Sequence, residues 1–127
     1  MQSAIILIAS DSLEDAQIIS AILGKGGYAV RCVNSSCGLM AIAKFSPPNL
    51  IFMDTTLLKV DNSYNTEQLR TNEFTRNIPV ILFCGMNNAC DIIEDTEIAS
   101  FYCITKPFQA DEVLVRVESQ LTIQPYY

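Results

Sequence analysis

Short continuous runs of apolar residues alternate along the chain with longer and more polar stretches. Five of these runs predict buried β-strands, and they cover residues 4–9, 28–33, 50–53, 80–84 and 101–105. Strands without polar alternation that are separated by helices are typical of a parallel sheet covered on both faces. The pattern therefore predicts an α/β fold in which a strand and a helix repeat five times, (βα)5.

The polar stretches between the strands carry helix signals. The first helix is predicted from Ser12, which with Asp15 resembles a capping box, and it is expected to be stopped by Gly24, Gly26 and Gly27. Its apolar stripe is predicted to consist of Ile18, Ile19, Ile22 and Leu23. Further helices are predicted over residues 36–45, 64–73 and 89–98. A last helix after Phe108 presents one apolar face, formed by Val113, Leu114, Val117 and Leu121.

Length and composition limit the class of protein. The 127 residues, 50% of them hydrophobic and 17% charged, are enough for a single domain with its own core. We expect that core over residues 4–122, with 123–127 as a tail or the start of a linker. No apolar run reaches the roughly 20 residues of a membrane span, and residues 1–9 lack the basic start and cleavage site of a signal peptide. A cytoplasmic protein without membrane contact is therefore expected.

Charge, histidine and cysteine content exclude several kinds of chemistry. The net charge of −6 argues against nucleic-acid binding by this domain, because phosphate contacts need clustered lysines and arginines. The chain has no histidine, which excludes a Ser-His-Asp nucleophile and a histidine-ligated metal. The five cysteines form no C-x-x-C pair, so they predict reduced and mostly buried thiols.

Reactive side chains follow three of the predicted strands: Asp11, Asp54 and Lys106 come after the first, third and fifth. The carboxyl ends of parallel strands meet at one edge of a sheet, where ligands bind. We therefore expect Asp54 at the mouth of the sheet, within reach of water and partners. Two carboxylates suit Mg²⁺, a carboxylate can form an acyl phosphate, and a lysine can neutralise phosphoryl oxygens. A plainer interpretation, with Asp11 as a cap, Asp54 as a strand end and Lys106 in solvent, fits each residue alone better than all three together.

Three segments resemble one protein family in sequence and spacing. "LIFMDTTLLKVDN", "IPVILFCG" and "FYCITKPF" are similar to the third, fourth and fifth strand regions of receiver domains in two-component response regulators. The resemblance extends over residues 4–122 and implies a flavodoxin-like, CheY-like doubly wound sheet with strand order 2-1-3-4-5. It also implies that Asp54 accepts a phosphoryl group in a His-to-Asp phosphorelay. Self-catalysed phosphorylation and dephosphorylation of this aspartate would be the only enzymatic activity.

The resemblance assigns roles to the residues at the strand ends. Asp11, Asp54 and the backbone carbonyl of Thr56 would ligate Mg²⁺ (or Mn²⁺), and Lys106 would pair with the phosphoryl oxygens. The implied phosphodonor is a sensor histidine kinase or a histidine phosphotransfer protein. An output partner would bind the 89–98 helix, the fifth strand and the last helix. The expected assembly is a monomer or a weak homodimer.

Three positions depart from the family pattern. Ser10 stands where the first acid of an acidic pair is usual, and the missing charge should weaken the Mg²⁺ site. Cys84 replaces a serine or threonine whose hydroxyl bonds the phosphoryl oxygen, and a thiol is a weaker donor. Cys103 replaces the aromatic switch residue on the fifth strand, so the coupling of phosphorylation to a change of shape should be softened.

These departures leave a second function open. The chain would then be an atypical pseudo-receiver that acts as a phosphorylation-independent interaction module, although Asp11, Asp54 and Lys106 favour the phosphoacceptor. Two other classes fit less well. Aspartate-based phosphatases carry a second aspartate where this chain has Thr56, and the "SDSLED" segment places acids where an FMN-binding protein needs a phosphate loop.

Overall fold

The computed structural model describes residues 4–54, 57, 71–73, 75–84, 102–105 and 108–122. Within these ranges, only the backbone is described for Ser36, Cys37, Cys84, Tyr102, Cys103, Thr105 and Thr122. The described residues form five strands: β1 (Ile5–Ala9), β2 (Ala29–Val33), β3 (Leu50–Asp54), β4 (Val80–Cys84) and β5 (Tyr102–Thr105). They also form three helices: α1 (Leu13–Lys25), α2 (Ser36–Phe45) and α3 (Ala110–Thr122).

The five strands run parallel in one sheet with the order β2-β1-β3-β4-β5. The predicted order 2-1-3-4-5 and the α/β class are thereby confirmed. β3 lies in the centre of the sheet, between β1 and β4. The carboxyl ends of β1 and β3 consequently lie side by side, which is where the predicted chemistry begins.

Alternation along the central strands divides the core between the two faces of the sheet. Ile8, Phe52 and Phe83 lie in the cluster that includes α1 and α3, while Met53 and Leu82 lie in the cluster that includes α2. All five side chains are fully buried. Both faces of the central strands are therefore packed, as continuous apolar runs require.

Three phenylalanines tie the last helix region to the centre of the sheet. The rings of Phe52 and Phe83 have centroids 6.3 Å apart, and the Phe108 ring meets Phe83 edge-on at 5.7 Å. Tilted and edge-on pairs of this kind stabilise beyond their buried area. Phe108 thus anchors the chain just before α3, whose Val113 and Val117 are fully buried as predicted.

Both ends of α1 agree with the sequence. Ser12 is the N-cap, and its hydroxyl accepts a hydrogen bond from the backbone N–H of Asp15 at 3.2 Å. The helix passes through Gly24 and ends at the C-cap Gly26. Gly27 follows with φ +92°, a conformation that favours glycine, so the turn lies within the predicted group of glycines.

The predicted stripe of α1 is correct in part. Ile19 and Leu23 are fully buried and Ile22 packs partly against the same cluster, but Ile18 is 40% exposed. Ile18 precedes Ile19 by one position, which turns its side chain about 100° around the helix and away from the sheet. The apolar face of α1 is therefore narrower than predicted.

β2 is one of the two edge strands, and most of it is open to solvent. Ala29, Arg31 and Cys32 are exposed, while Val30 and Val33 pack partly against the clusters on the two faces, so the predicted cover is incomplete at this strand. Cys32 is therefore an exception to the prediction of mostly buried cysteines. An edge strand has a neighbour on one side only and receives less cover from the helices than the central strands do.

The remaining helix predictions have different outcomes. The 36–45 helix is confirmed as α2, with the Ser35 hydroxyl accepting from the Gly38 N–H at 3.0 Å as its N-cap. The predicted helix over 89–98 and most of that over 64–73 lie outside the described residues. In the described part of the chain, no helix is long and apolar enough to cross a membrane.

Candidate functional site

Asp54 is the last residue of β3, and its side chain is only 3% exposed. The prediction that Asp54 stands open to water is therefore wrong. β3 extends one residue further than predicted and keeps Asp54 in register with Phe83 of β4, inside the sheet instead of in the loop beyond it. A carboxylate buried this deeply needs hydrogen-bond partners, because burying a charge without them is costly.

Ser10 supplies one of these partners. Ile8 of β1 pairs with Phe52 of β3, so two residues further along Ser10 and Asp54 lie opposite each other on the same face. The Ser10 hydroxyl donates to Asp54 Oδ2 at 2.9 Å in a buried hydrogen bond. The sequence identified Ser10 only as a missing acid; strand parity was the signal that could have revealed the bond.

The turn after β1 holds Ser10 firmly. Its backbone N–H donates to the carbonyl of Val33 at 3.0 Å, and its Oγ accepts from the backbone N–H of Ser12 at 3.0 Å. Asp11, between these two residues, is exposed. The structure thus places one exposed and one buried carboxylate, Asp11 and Asp54, at the ends of neighbouring strands.

These two carboxylates fit a hard cation in their donor chemistry. Mg²⁺ is usually held by one or two carboxylates, with water and phosphate oxygens completing the octahedron. No group of three or more His, Cys, Asp or Glu side chains that could hold a metal occurs among the described residues. In their donor chemistry, Asp11 and Asp54 are compatible with a hydrated Mg²⁺ ion.

The other predicted site residues are placed only by their backbone or lie outside the described ranges. Cys84 ends β4 in register with Thr105 of β5, and Cys103 is in register with Leu82. The backbone of Cys84 is thus at the same edge of the sheet as that of Asp54. Thr56 and Lys106 lie outside the described residues, and their roles stay predictions.

A groove of about 560 Å³ opens beside Ser10 and Asp11, between the start of α1, the end of β2 and the start of α2. Leu13, 73% exposed, and Cys32 contribute apolar surface to it. Desolvation of the Cys32 sulfur raises the pKa of its thiol above the ordinary value and favours the protonated form. The sequence did not predict this groove, because it forms between elements that are distant in the chain.

Sequence comparison relates the chain to response regulators. The family profile of the response regulator receiver domain matches residues 6–118. The DNA-binding dual master transcriptional regulator RpaA of Synechocystis sp. is 32% identical over 116 residues, which are 91% of this chain and 48% of that protein. The transcriptional regulatory protein CpxR homolog of Haemophilus influenzae is 24% identical over 117 residues, 91% of this chain and 49% of that protein. The chain spans about half the length of these curated relatives.

Solved structures show the same fold. A putative response regulator from Chloroflexus aurantiacus superposes with a TM-score of 0.84 at 21% identity, covering 95% of this chain and 99% of that one. The signal receiver domain of a signal transduction histidine kinase from Syntrophus aciditrophicus gives a TM-score of 0.83 at 25% identity, covering 98% and 96%. With a parallel sheet of order 2-1-3-4-5 and a family profile that matches most of its length, the chain belongs to the response regulator receiver domain family.

Proposed function

We propose that the chain is a phosphoacceptor receiver domain in a two-component phosphorelay, with Asp54 as the phosphoacceptor and Mg²⁺ as the cofactor. The observation that carries the proposal is the position of Asp54 at the end of the central strand β3, beside the loop that bears Asp11. A carboxylate held there can act as the nucleophile in phosphoryl transfer.

The proposed reaction uses the Asp54 carboxylate as a nucleophile. One carboxylate oxygen forms a bond to phosphorus while the bond from phosphorus to a histidine nitrogen of the donor breaks, and the nitrogen keeps the electron pair. β1 and β4 on either side of β3 fix the position of the attacking group. Asp11, Asp54 and the Thr56 carbonyl would hold Mg²⁺, which supplies charge neutralisation at the phosphoryl oxygens, and Lys106 would add to it.

The proposal includes a cytoplasmic sensor histidine kinase or histidine phosphotransfer protein as the donor. An output partner would bind the surface formed by the 89–98 segment, β5 and α3. α3 offers an apolar position for such contact, because Val115 is 63% exposed. Since the chain spans about half the length of relatives described as transcriptional regulators, transcriptional output through another domain or protein is part of the proposal.

The pseudo-receiver remains the second candidate, and one observation favours it. Ser10 covers Asp54 with a hydrogen bond and leaves it 3% exposed, which opposes access by a phosphodonor. In that case the chain would bind its partner without phosphorylation.

The test separates the two candidates. The protein is incubated with Mg²⁺ and acetyl phosphate, and its intact mass is measured beside that of the Asp54→Asn variant. The phosphoacceptor gains the mass of one phosphoryl group that is labile to base, and the variant gains none. No adduct from acetyl phosphate or from a phosphohistidine donor would favour the pseudo-receiver.

A further inference from the structure

The Ser10 hydroxyl has two acceptors within reach and only one hydrogen. Its oxygen lies 2.9 Å from Asp54 Oδ2 and 3.3 Å from the carbonyl oxygen of Ser12. It also accepts from the Ser12 N–H, which limits the directions in which the hydroxyl hydrogen can point. The shorter contact, to a carboxylate oxygen, is the stronger one, so the Ser10 hydroxyl donates its hydrogen bond to Asp54 in the cation-free protein.

This bond is sheltered from water at both ends. Ser10 is 4% exposed and Asp54 is 3% exposed. Breaking a buried hydrogen bond to a charged group is costly unless another interaction replaces it at once. A cation that takes the same carboxylate oxygen draws electron density from it and repels the hydroxyl hydrogen, so it weakens or displaces the Ser10 bond.

We infer that Ser10 is a positioning residue for Asp54 that competes with a divalent cation for the carboxylate oxygen Oδ2. The inference rests on the proposed function, because it assumes that Mg²⁺ binds at Asp11 and Asp54. A hydroxyl hydrogen and a cation both carry positive charge and repel each other at one oxygen. When the cation binds Oδ2, the hydroxyl turns to the Ser12 carbonyl, the second acceptor already at 3.3 Å.

The serine therefore lowers cation affinity in two separate ways. An acid at position 10 would add a negative charge that attracts the cation, and serine contributes none. A carboxylate would also offer no hydrogen to Asp54, whereas serine stabilises the cation-free form. Substitutions that keep the charge at position 10 unchanged isolate the second effect from the first.

Ser10→Thr and Ser10→Val form the matched pair for this test, because threonine and valine have the same shape and differ in one hydroxyl. Mg²⁺ affinity is measured by titration of backbone amide chemical shifts in both variants and in the unsubstituted protein. We expect the valine variant to bind Mg²⁺ about 2- to 10-fold more tightly than the threonine variant, from the usual net strength of one hydrogen bond. Equal or weaker binding by the valine variant would overturn the competition.

The phosphorylation rate gives a second readout. With acetyl phosphate, the Mg²⁺ concentration for half-maximal rate should be lower in Ser10→Val than in Ser10→Thr, while the two rates converge at saturating Mg²⁺. A difference that persists at saturation would mean that the hydroxyl acts in the transfer itself, which would overturn the assigned role.

A third measurement needs neither Mg²⁺ nor phosphate. The free energy of unfolding is compared between the threonine and valine variants, once with Asp54 present and once in an Asp54→Ala background. We expect the threonine variant to be the more stable with Asp54, and the difference to vanish in the Asp54→Ala background. An unchanged difference would overturn the Ser10–Asp54 bond while leaving the phosphoacceptor function intact. Absence of Mg²⁺ binding in every variant would overturn both the competition and the Mg²⁺-dependent function.

Discussion

At the scale of single residues, the pair Ser10 and Asp54 defines the site. Receiver chemistry requires an ionised aspartate, and this chain buries it against a neutral hydroxyl donor at 2.9 Å. A neighbouring acid would have exposed Asp54 to like-charge repulsion. Under the proposed function, the serine would stabilise the folded, cation-free protein and lower its affinity for the cation.

Placing an acid at position 10 should make folding stability depend more strongly on Mg²⁺. In Ser10→Asp we expect a stability loss of roughly 1–3 kcal/mol without Mg²⁺, because a buried donor to Asp54 is replaced by a like charge. Saturating Mg²⁺ should recover much of it, since a cation that binds only the folded state stabilises that state. Thermal unfolding with and without Mg²⁺ measures both effects.

Ser10→Asn is the control for this substitution, because its amide has a similar size, can donate a hydrogen bond and carries no charge. It should show a smaller loss and a smaller recovery with Mg²⁺. Equal stability of Ser10→Asp and the unsubstituted protein in the absence of Mg²⁺ would contradict this view of the site.

A second departure at residue scale is Cys84 at the end of β4. Because a hydroxyl is a better donor than a thiol, we expect Cys84→Thr to strengthen the conformational change that follows phosphorylation. Amide hydrogen exchange before and after treatment with acetyl phosphate measures this change. Cys84→Val has the shape of the threonine variant without its hydroxyl, and an equal response of both variants would count against a hydroxyl-dependent role.

At the scale of elements, the end of α1 shows that neighbouring glycines can have different conformations and different roles. Gly24 lies inside the helix, and a Cβ added there would meet nothing within 4 Å. A Cβ added at Gly27 would also meet nothing within 4 Å, but the φ of Gly27 is +92°. The sequence predicted the helix end at a group of three glycines, Gly24, Gly26 and Gly27, because composition alone cannot tell which of them adopts the left-handed conformation. Backbone geometry distinguishes them.

The two glycines therefore form a matched pair of predictions. Gly24→Ala should stabilise the protein by about 0.5–1 kcal/mol, because alanine loses less backbone entropy in a helix. Gly27→Ala should destabilise it by about 1 kcal/mol, because an alanine is strained at positive φ. Urea unfolding measures both changes, and effects of the same sign would contradict the assigned end of α1.

At the scale of the whole molecule, the apolar runs were sufficient to predict the sheet and its packed core. The strand order was predicted from the family resemblance. Each central strand is buried on both faces, so its sequence carries a strong signal. Predictions of burial failed where the exposure of a side chain depended on how the elements pack against each other. Cys32 is exposed because β2 is an edge strand, and Ile18 because the helix face is narrow.

The sequence predicted which strand ends carry the two carboxylates, but not the environment of these side chains. Asp11 and Asp54 follow strands whose ends must meet, so their proximity follows from topology. The burial of Asp54 and its bond to Ser10 depend on one extra residue of strand and on side-chain parity across β1 and β3. Under the proposed function, these features would determine how easily a cation and a phosphodonor reach the carboxylate.

The most direct test of Asp54 as the phosphoacceptor is to locate the phosphoryl group. After treatment with acetyl phosphate and Mg²⁺, the protein is reduced with borohydride, which converts an aspartyl phosphate to homoserine, and is digested with trypsin. Residues 45–59 form one tryptic peptide that contains a single aspartate, Asp54. If Asp54 is the phosphoacceptor, homoserine replaces aspartate at position 54 of this peptide and at no other position in the chain. An unmodified peptide, or homoserine elsewhere, would contradict it.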